Sequence, residues 1–102
     1  MTVISTVSFT IAPGKNLAAM KYLGELAHHL KHVTGTDMRI LTQLAGPVGH
    51  VVLSSTYDNV SAWDAGRTKI AADIGFQKMV NDAGNATLFI AGSVQTALWQ
   101  EV

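Results

Sequence analysis

The stretch "MRILTQLAGPVGHVVLSSTY" (residues 38–57) decides the fold. It holds two runs of strand-forming residues, 38–45 and 48–57, joined at Gly46-Pro47. A turn dipeptide between two such runs predicts a hairpin. Both runs carry apolar residues on both sides. Met38, Ile40 and Leu44 alternate with Leu41 and Ala45, and Val51 and Leu53 lie opposite Val48 and Val52. A strand apolar on both faces needs cover on both.

Upstream, "TVISTVSFTI" (2–11) alternates Val3, Val7, Phe9 and Ile11 with Thr2, Thr6, Ser8 and Thr10, the pattern of a strand with one buried face. Residues 14–34 repeat at helical spacing. Ala19, Leu23, Leu26, Leu30 and Val33 form a stripe that Met20, Tyr22 and Ala27 widen, and Gly35 marks its end. Downstream, residues 58–84 form a second helical stretch, with Asp58 or Asn59 as its cap and a kink or a second short helix near Gly75. Residues 87–102 read as a long last strand interrupted at Gly92, long enough for its tail to reach a partner. The order is β-α-β-β-α-β. It predicts an α+β, ferredoxin-like fold with an antiparallel four-stranded sheet, as one domain over residues 1–102.

Helices cover one sheet face, so the two-sided strands need something else on the other. Charged residues make up 14% of the 102-residue chain, against roughly 25% in typical soluble domains. Together these predict that two copies pack sheet on sheet as a homodimer. Seven basic and seven acidic residues cancel and form no basic cluster, which argues against a nucleic-acid partner. The absence of cysteine excludes disulfides, thiolate metal sites and a cysteine nucleophile, and fits a cytoplasmic protein. The N-terminal stretch has neither the basic start of a signal peptide nor the length of a membrane span, so no membrane partner is expected.

The element order, the two-sided strands and the long last strand resemble the dimeric α+β barrel superfamily. The segment "YDNVSAWDAGRTKIAADIGFQKMV" (57–80), with Asp73 and Phe76 as its Asp-x-x-Phe, is most similar to NIPSNAP-like domains and more distantly to antibiotic-biosynthesis-type monooxygenases. The resemblance implies a homodimer with a pocket between sheet and helices in each subunit. It leaves chemistry open, because one fold hosts many activities.

Three of the four histidines fall in "AHHLKH" (27–32). His28 and His32 lie opposite the apolar stripe and His29 at its edge. Zinc wants three or four protein ligands, so this reads as a wet helix face with no metal site. His50, in a buried-looking strand, is the best general acid or base if its side faces the pocket. Trp63 and Arg67 share a helix face, as an aromatic wall and a clamp for an anionic group, with snorkelling of Arg67 to water as the simpler reading. Tyr57 offers a hydroxyl at a strand end, and Arg39 stands on strand 2, where a polar side chain also protects an edge.

Asn59 and Trp63 resemble the helical Asn-x-x-x-Trp pair of cofactor-independent quinone-forming monooxygenases, although Asn59 also fits a helix cap. The haem-degrading branch has a strand-1 Asn and a His after the Trp; this chain has neither, which argues against haem degradation. No cofactor is expected. The leading expectation is a protein of unassigned biochemical role that binds a small, partly hydrophobic or aromatic molecule between sheet and helices. Trp63, Tyr57 and His50 line the site, with Arg67, Asn59 and Arg39 as further contacts. One alternative is a cofactor-independent monooxygenase acting on a phenolic or quinol-type substrate, with His50 taking the proton. Another is a structural dimer module without ligand.

Overall fold

Strand β1 (Val3–Thr10) pairs antiparallel with β3 (His50–Tyr57) on one side and with β4 (Gln95–Gln100) on the other. Strand β2 (Met38–Thr42) pairs antiparallel with β3, giving the sheet order β2-β3-β1-β4. Helix α1 (Asn16–Thr34) connects β1 to β2, and helices α2 (Val60–Ala72) and α3 (Ile74–Asn85) connect β3 to β4. This is the ferredoxin-like α+β arrangement, seen in a computed structural model that describes residues 1–102.

The pairing of β1 with β3 divides the sheet into two unlike faces. Val3 opposes Tyr57, Val7 opposes Leu53 and Phe9 opposes Val51. Directly opposed residues share a face, and successive residues alternate. The face holding Val3, Val51, Leu53 and Tyr57 is buried, and the stripe Ala19, Leu23, Leu26 and Leu30 of α1 is buried with it. Fully burying each of these leucines contributes about 1.5–3 kcal/mol, so the stripe is the main term holding α1 to the sheet. The stripe ends where Gly35 takes a φ of 75° and its N–H bonds to Lys31 O, a left-handed helix stop that glycine adopts without strain.

Two elements differ from the sequence expectation. Strand β2 stops at Thr42, and residues 43–49 form a loop in place of a tight two-residue turn. Gly46 and Gly49 have φ of 118° and 79°, and Pro47 lacks an N–H, so the ladder is not continued through this segment. Leu44 and Val48, read as strand residues, are 100% and 95% exposed. The last strand is also shorter than expected, with six residues. Leu88 and Phe89 fold into the core ahead of it, Phe89 bridging to Ile11, and Gly92 turns the chain at φ 78°.

The expected second helix is present, and the break lies between α2 and α3. The break falls at Asp73, whose ψ of 118° leaves the helical region, and Gly75 sits inside the first turn of α3. The Asp73 carboxylate caps α3 by accepting from Phe76 N at 2.7 Å. The same Oδ2 meets His29 Nε2 of α1 at 2.5 Å, tying the helical break to the first helix. Gly75 leaves room for this contact, because a Cβ there would lie 2.9 Å from the His29 ring.

The His29 hydrogen bond, and after it the Phe76 amide, hold the Asp73 carboxyl below the usual carboxylate range. A carboxyl depressed in the folded state contributes stability that is present above its unfolded value, near about 3.9, and lost as pH falls through the folded value. Asp73→Asn keeps a capping oxygen but removes the charge. Its Tm is expected to lie below that of the wild type at about pH 5, with the gap closing as pH is lowered towards about 2. Thermal melts across that window check this. A gap independent of pH would mean that the charge on Asp73 is not what the fold uses.

Candidate functional site

A cleft of 410 Å³ lies between the sheet and α2. Its floor is two adjacent rungs of the sheet. In one, Ser5 lies between Ser55 and Leu98, with Met38 beyond Ser55; in the other, Val7 lies between Leu53 and Thr96. Its roof is one face of α2, where Trp63, Arg67 and Ile70 recur at helical spacing, together with Leu30 of α1. Tyr57 closes one end. Its ring lies close enough to α2 that a Cβ on the buried Gly66 would come within 3.1 Å of it, so the glycine permits the approach of helix to tyrosine.

The cleft is mostly apolar, with polar groups confined to a few positions. The hydroxyls of Ser5, Ser55, Tyr57 and Thr96 make no side-chain hydrogen bond within the chain, yet no buried polar side-chain atom is left unpaired. These hydroxyls are therefore open to the cleft and free to bond to a guest. Arg67 stands at the rim. It donates to Asp64 Oδ1 at 2.7 Å and lies 5.2 Å from the centre of the Trp63 ring. Its side chain is 63% exposed and its charge already has a partner, so it acts on the cleft mainly by holding the indole from above.

Of the residues singled out from sequence, Tyr57, Trp63 and Arg67 come together here. Asn59 does not line the cleft; its Oδ1 accepts from Ala62 N at 2.8 Å and caps α2, the simpler of its two readings. His50 opposes Thr10, one residue out of phase with the buried Val51, and so points to the face away from the helices. Arg39 opposes Ser54 on that same outer face. The expectation that His50 and Arg39 line the pocket is thus corrected by strand alternation. In the histidine cluster, His29 is committed to Asp73, and no group of three or more ligating side chains gathers anywhere in the chain.

Sequence reasoning missed Ser5, Ser55 and Thr96. Each is a small polar residue on an otherwise apolar face, a signal visible only once the register is known. It also missed a second cavity of 530 Å³ beside the first, between β1, α1, α3 and the segment 89–94.

No family model and no curated protein matches this chain. Solved structures do match it in fold. A NIPSNAP family protein from Agrobacterium tumefaciens superposes with a TM-score of 0.79 at 17% identity, over 99% of this chain and 86% of that one. A NIPSNAP domain protein from Burkholderia xenovorans superposes with a TM-score of 0.79 at 19% identity, over 98% and 94%. A Deinococcus radiodurans protein ascribed to antibiotic biosynthesis monooxygenases gives 0.72 at 15% identity, over 98% and 92%. At such identities the likeness is one of fold. The ferredoxin-like fold expected from the element order, and its similarity to NIPSNAP-like and monooxygenase-type domains, are both present.

If Asn59 acts as a cap, Asn59→Ala will cost about 1 kcal/mol of stability and Asn59→Ser will recover most of it. Urea unfolding of the three proteins measures this. Equal stability of wild type and Asn59→Ala would return Asn59 to the list of ligand contacts.

Proposed function

We propose that the cleft under α2 binds a small, partly hydrophobic, aromatic molecule bearing a hydroxyl or carbonyl group. The observation that carries this reading is the pairing of an aromatic wall, Trp63 and Tyr57, with hydroxyls that have no partner in the chain, on Ser5, Ser55 and Thr96. An apolar cleft of this size with a few convergent polar groups is the usual form of a small-molecule site. The ring stacks under the indole, and its oxygen bonds to the serine rung on the floor.

The oxygenase alternative draws support from the fold shared with the Deinococcus radiodurans protein. It needs a general base beside the phenol, and the residue first assigned that role, His50, lies on the opposite sheet face. Binding without turnover is therefore the preferred reading.

The partner in this reading is a second copy of the chain. The outer sheet face carries Ile4, Leu41, Val52 and Trp99 among threonines and serines. Trp99 is 61% exposed there, and its indole N–H reaches Thr6 Oγ1 at 3.4 Å. Packing two such faces together buries these residues and leaves each cleft intact on the far side. No helix is long and apolar enough to cross a membrane.

Titration with 4-methylphenol, followed by thermal stabilisation, tests the cleft. Saturable stabilisation is expected, with affinity reduced about tenfold or more in Trp63→Ala, equivalent to about 1.4 kcal/mol. Failure of the phenol to bind, or equal binding by Trp63→Ala, would remove the reading. Sedimentation equilibrium tests the pairing. The wild type is expected to be a dimer and Val52→Asp a folded monomer, whereas a monomeric wild type would overturn the sheet-on-sheet assembly.

A further inference from the structure

The two cavities share Val7, Leu30, Leu53 and Ile70. Val7 and Leu53 oppose each other on the floor, while Leu30 and Ile70 close from α1 and α2 above. Together they form a waist at which two chambers adjoin. The side-chain polar groups are divided unequally across it. The first chamber holds the hydroxyls of Ser5, Ser55, Tyr57 and Thr96. In the second, 14 of the 16 lining residues are hydrophobic and the other two are Gly84 and Gly92. Its one side-chain polar group is the Tyr22 hydroxyl, whose pKa burial and then the Asp82 charge push above the ordinary tyrosine value.

Two backbone donors of the wall segment are already used. Ile90 N–H bonds to Thr10 O and Ser93 N–H bonds to Ile90 O, and Ser93 Oγ in turn receives Thr10 N–H. The aromatic wall formed by Phe9, Phe89 and Tyr22 is packed ring against ring, with centroids 4.9 and 5.9 Å apart. With a single side-chain polar group, such a chamber has much to offer an alkyl chain, since each methylene removed from water gains about fourfold in affinity.

We propose that the ligand is an amphiphile, with its hydroxyl- or carbonyl-bearing aromatic head under Trp63 and a flexible hydrocarbon tail passing the Ile70–Leu30 waist into the second chamber. This inference rests on the reading of the first cleft as the head-group site and adds the class of molecule that the site takes.

A homologous series of 4-alkylphenols, from methyl to hexyl, tests it by thermal stabilisation and calorimetry. Affinity is expected to rise about two- to fourfold per methylene. Val80 lines only the second chamber, so Val80→Trp is expected to lower the ratio of hexyl to methyl affinity at least tenfold. Ile90→Trp fills the same chamber from its other wall and serves if Val80→Trp does not fold. Binding of 4-methylphenol with no gain along the series would overturn the tail chamber and leave the head-group site standing. A gain that neither tryptophan variant reduces would place the tail elsewhere and overturn the proposal. Failure of every member to bind would overturn the head-group site and the tail chamber together.

Discussion

The register of β1 on β3 is the constraint on which the rest of this molecule depends. With Val7 opposite Leu53, the buried face of the sheet is assigned residue by residue. Ser5 and Ser55 then form a polar rung inside an otherwise apolar layer, and His50 turns outward. A slip of one residue would reverse both assignments, because the side-chain period of a strand is two. The leucine stripe of α1 holds the register in place, since Leu23, Leu26 and Leu30 have apolar partners only on the face that Val51 and Leu53 present. Core packing and the composition of the cleft are thus two results of one alignment.

The second determinant is the break at Asp73. A single straight helix over residues 60–85 would extend past the end of the sheet. The break instead lets α2 lie over β1 and β3 while α3 turns to cover the segment around Leu88 and Phe89. Asp73 makes the break stable by accepting from the Phe76 amide, and His29 fixes its direction relative to α1. Since α2 roofs the first chamber and α3 walls the second, the break at Asp73 lies between the two elements that enclose them.

The fold was legible in sequence because its signals are local. Helix α1 has a clean stripe with a glycine stop, and β1 alternates from Thr6 to Thr10. The candidate site was legible at Trp63 and Arg67, which one helix carries together, and at Tyr57, an aromatic residue at a strand end. What failed needed non-local information. The face on which His50 lies depends on which alternating set α1 covers, and strand 3 is apolar on both sides. The length of the last strand was overread, since Leu88 and Phe89 have strand-like character but are drawn into the core before pairing begins. Residues 43–49 were overread for a related reason: Leu44 and Val48 continue the apolar pattern, while Gly46, Pro47 and Gly49 end the ladder. Asp73 carried a signal in its spacing to Phe76, but that spacing alone could not supply His29 as its partner.

We propose that the two sheet faces have separate tasks, one enclosing a guest and the other meeting a second copy. Methyl-resolved NMR on protein titrated with 4-hexylphenol tests it most directly. Resonances of Val7, Leu30, Leu53 and Ile70 are expected to shift with saturation while those of Leu41 and Val52 on the outer face stay in place. Saturable shifts at Leu41 and Val52, with the four cleft residues unmoved, would contradict it.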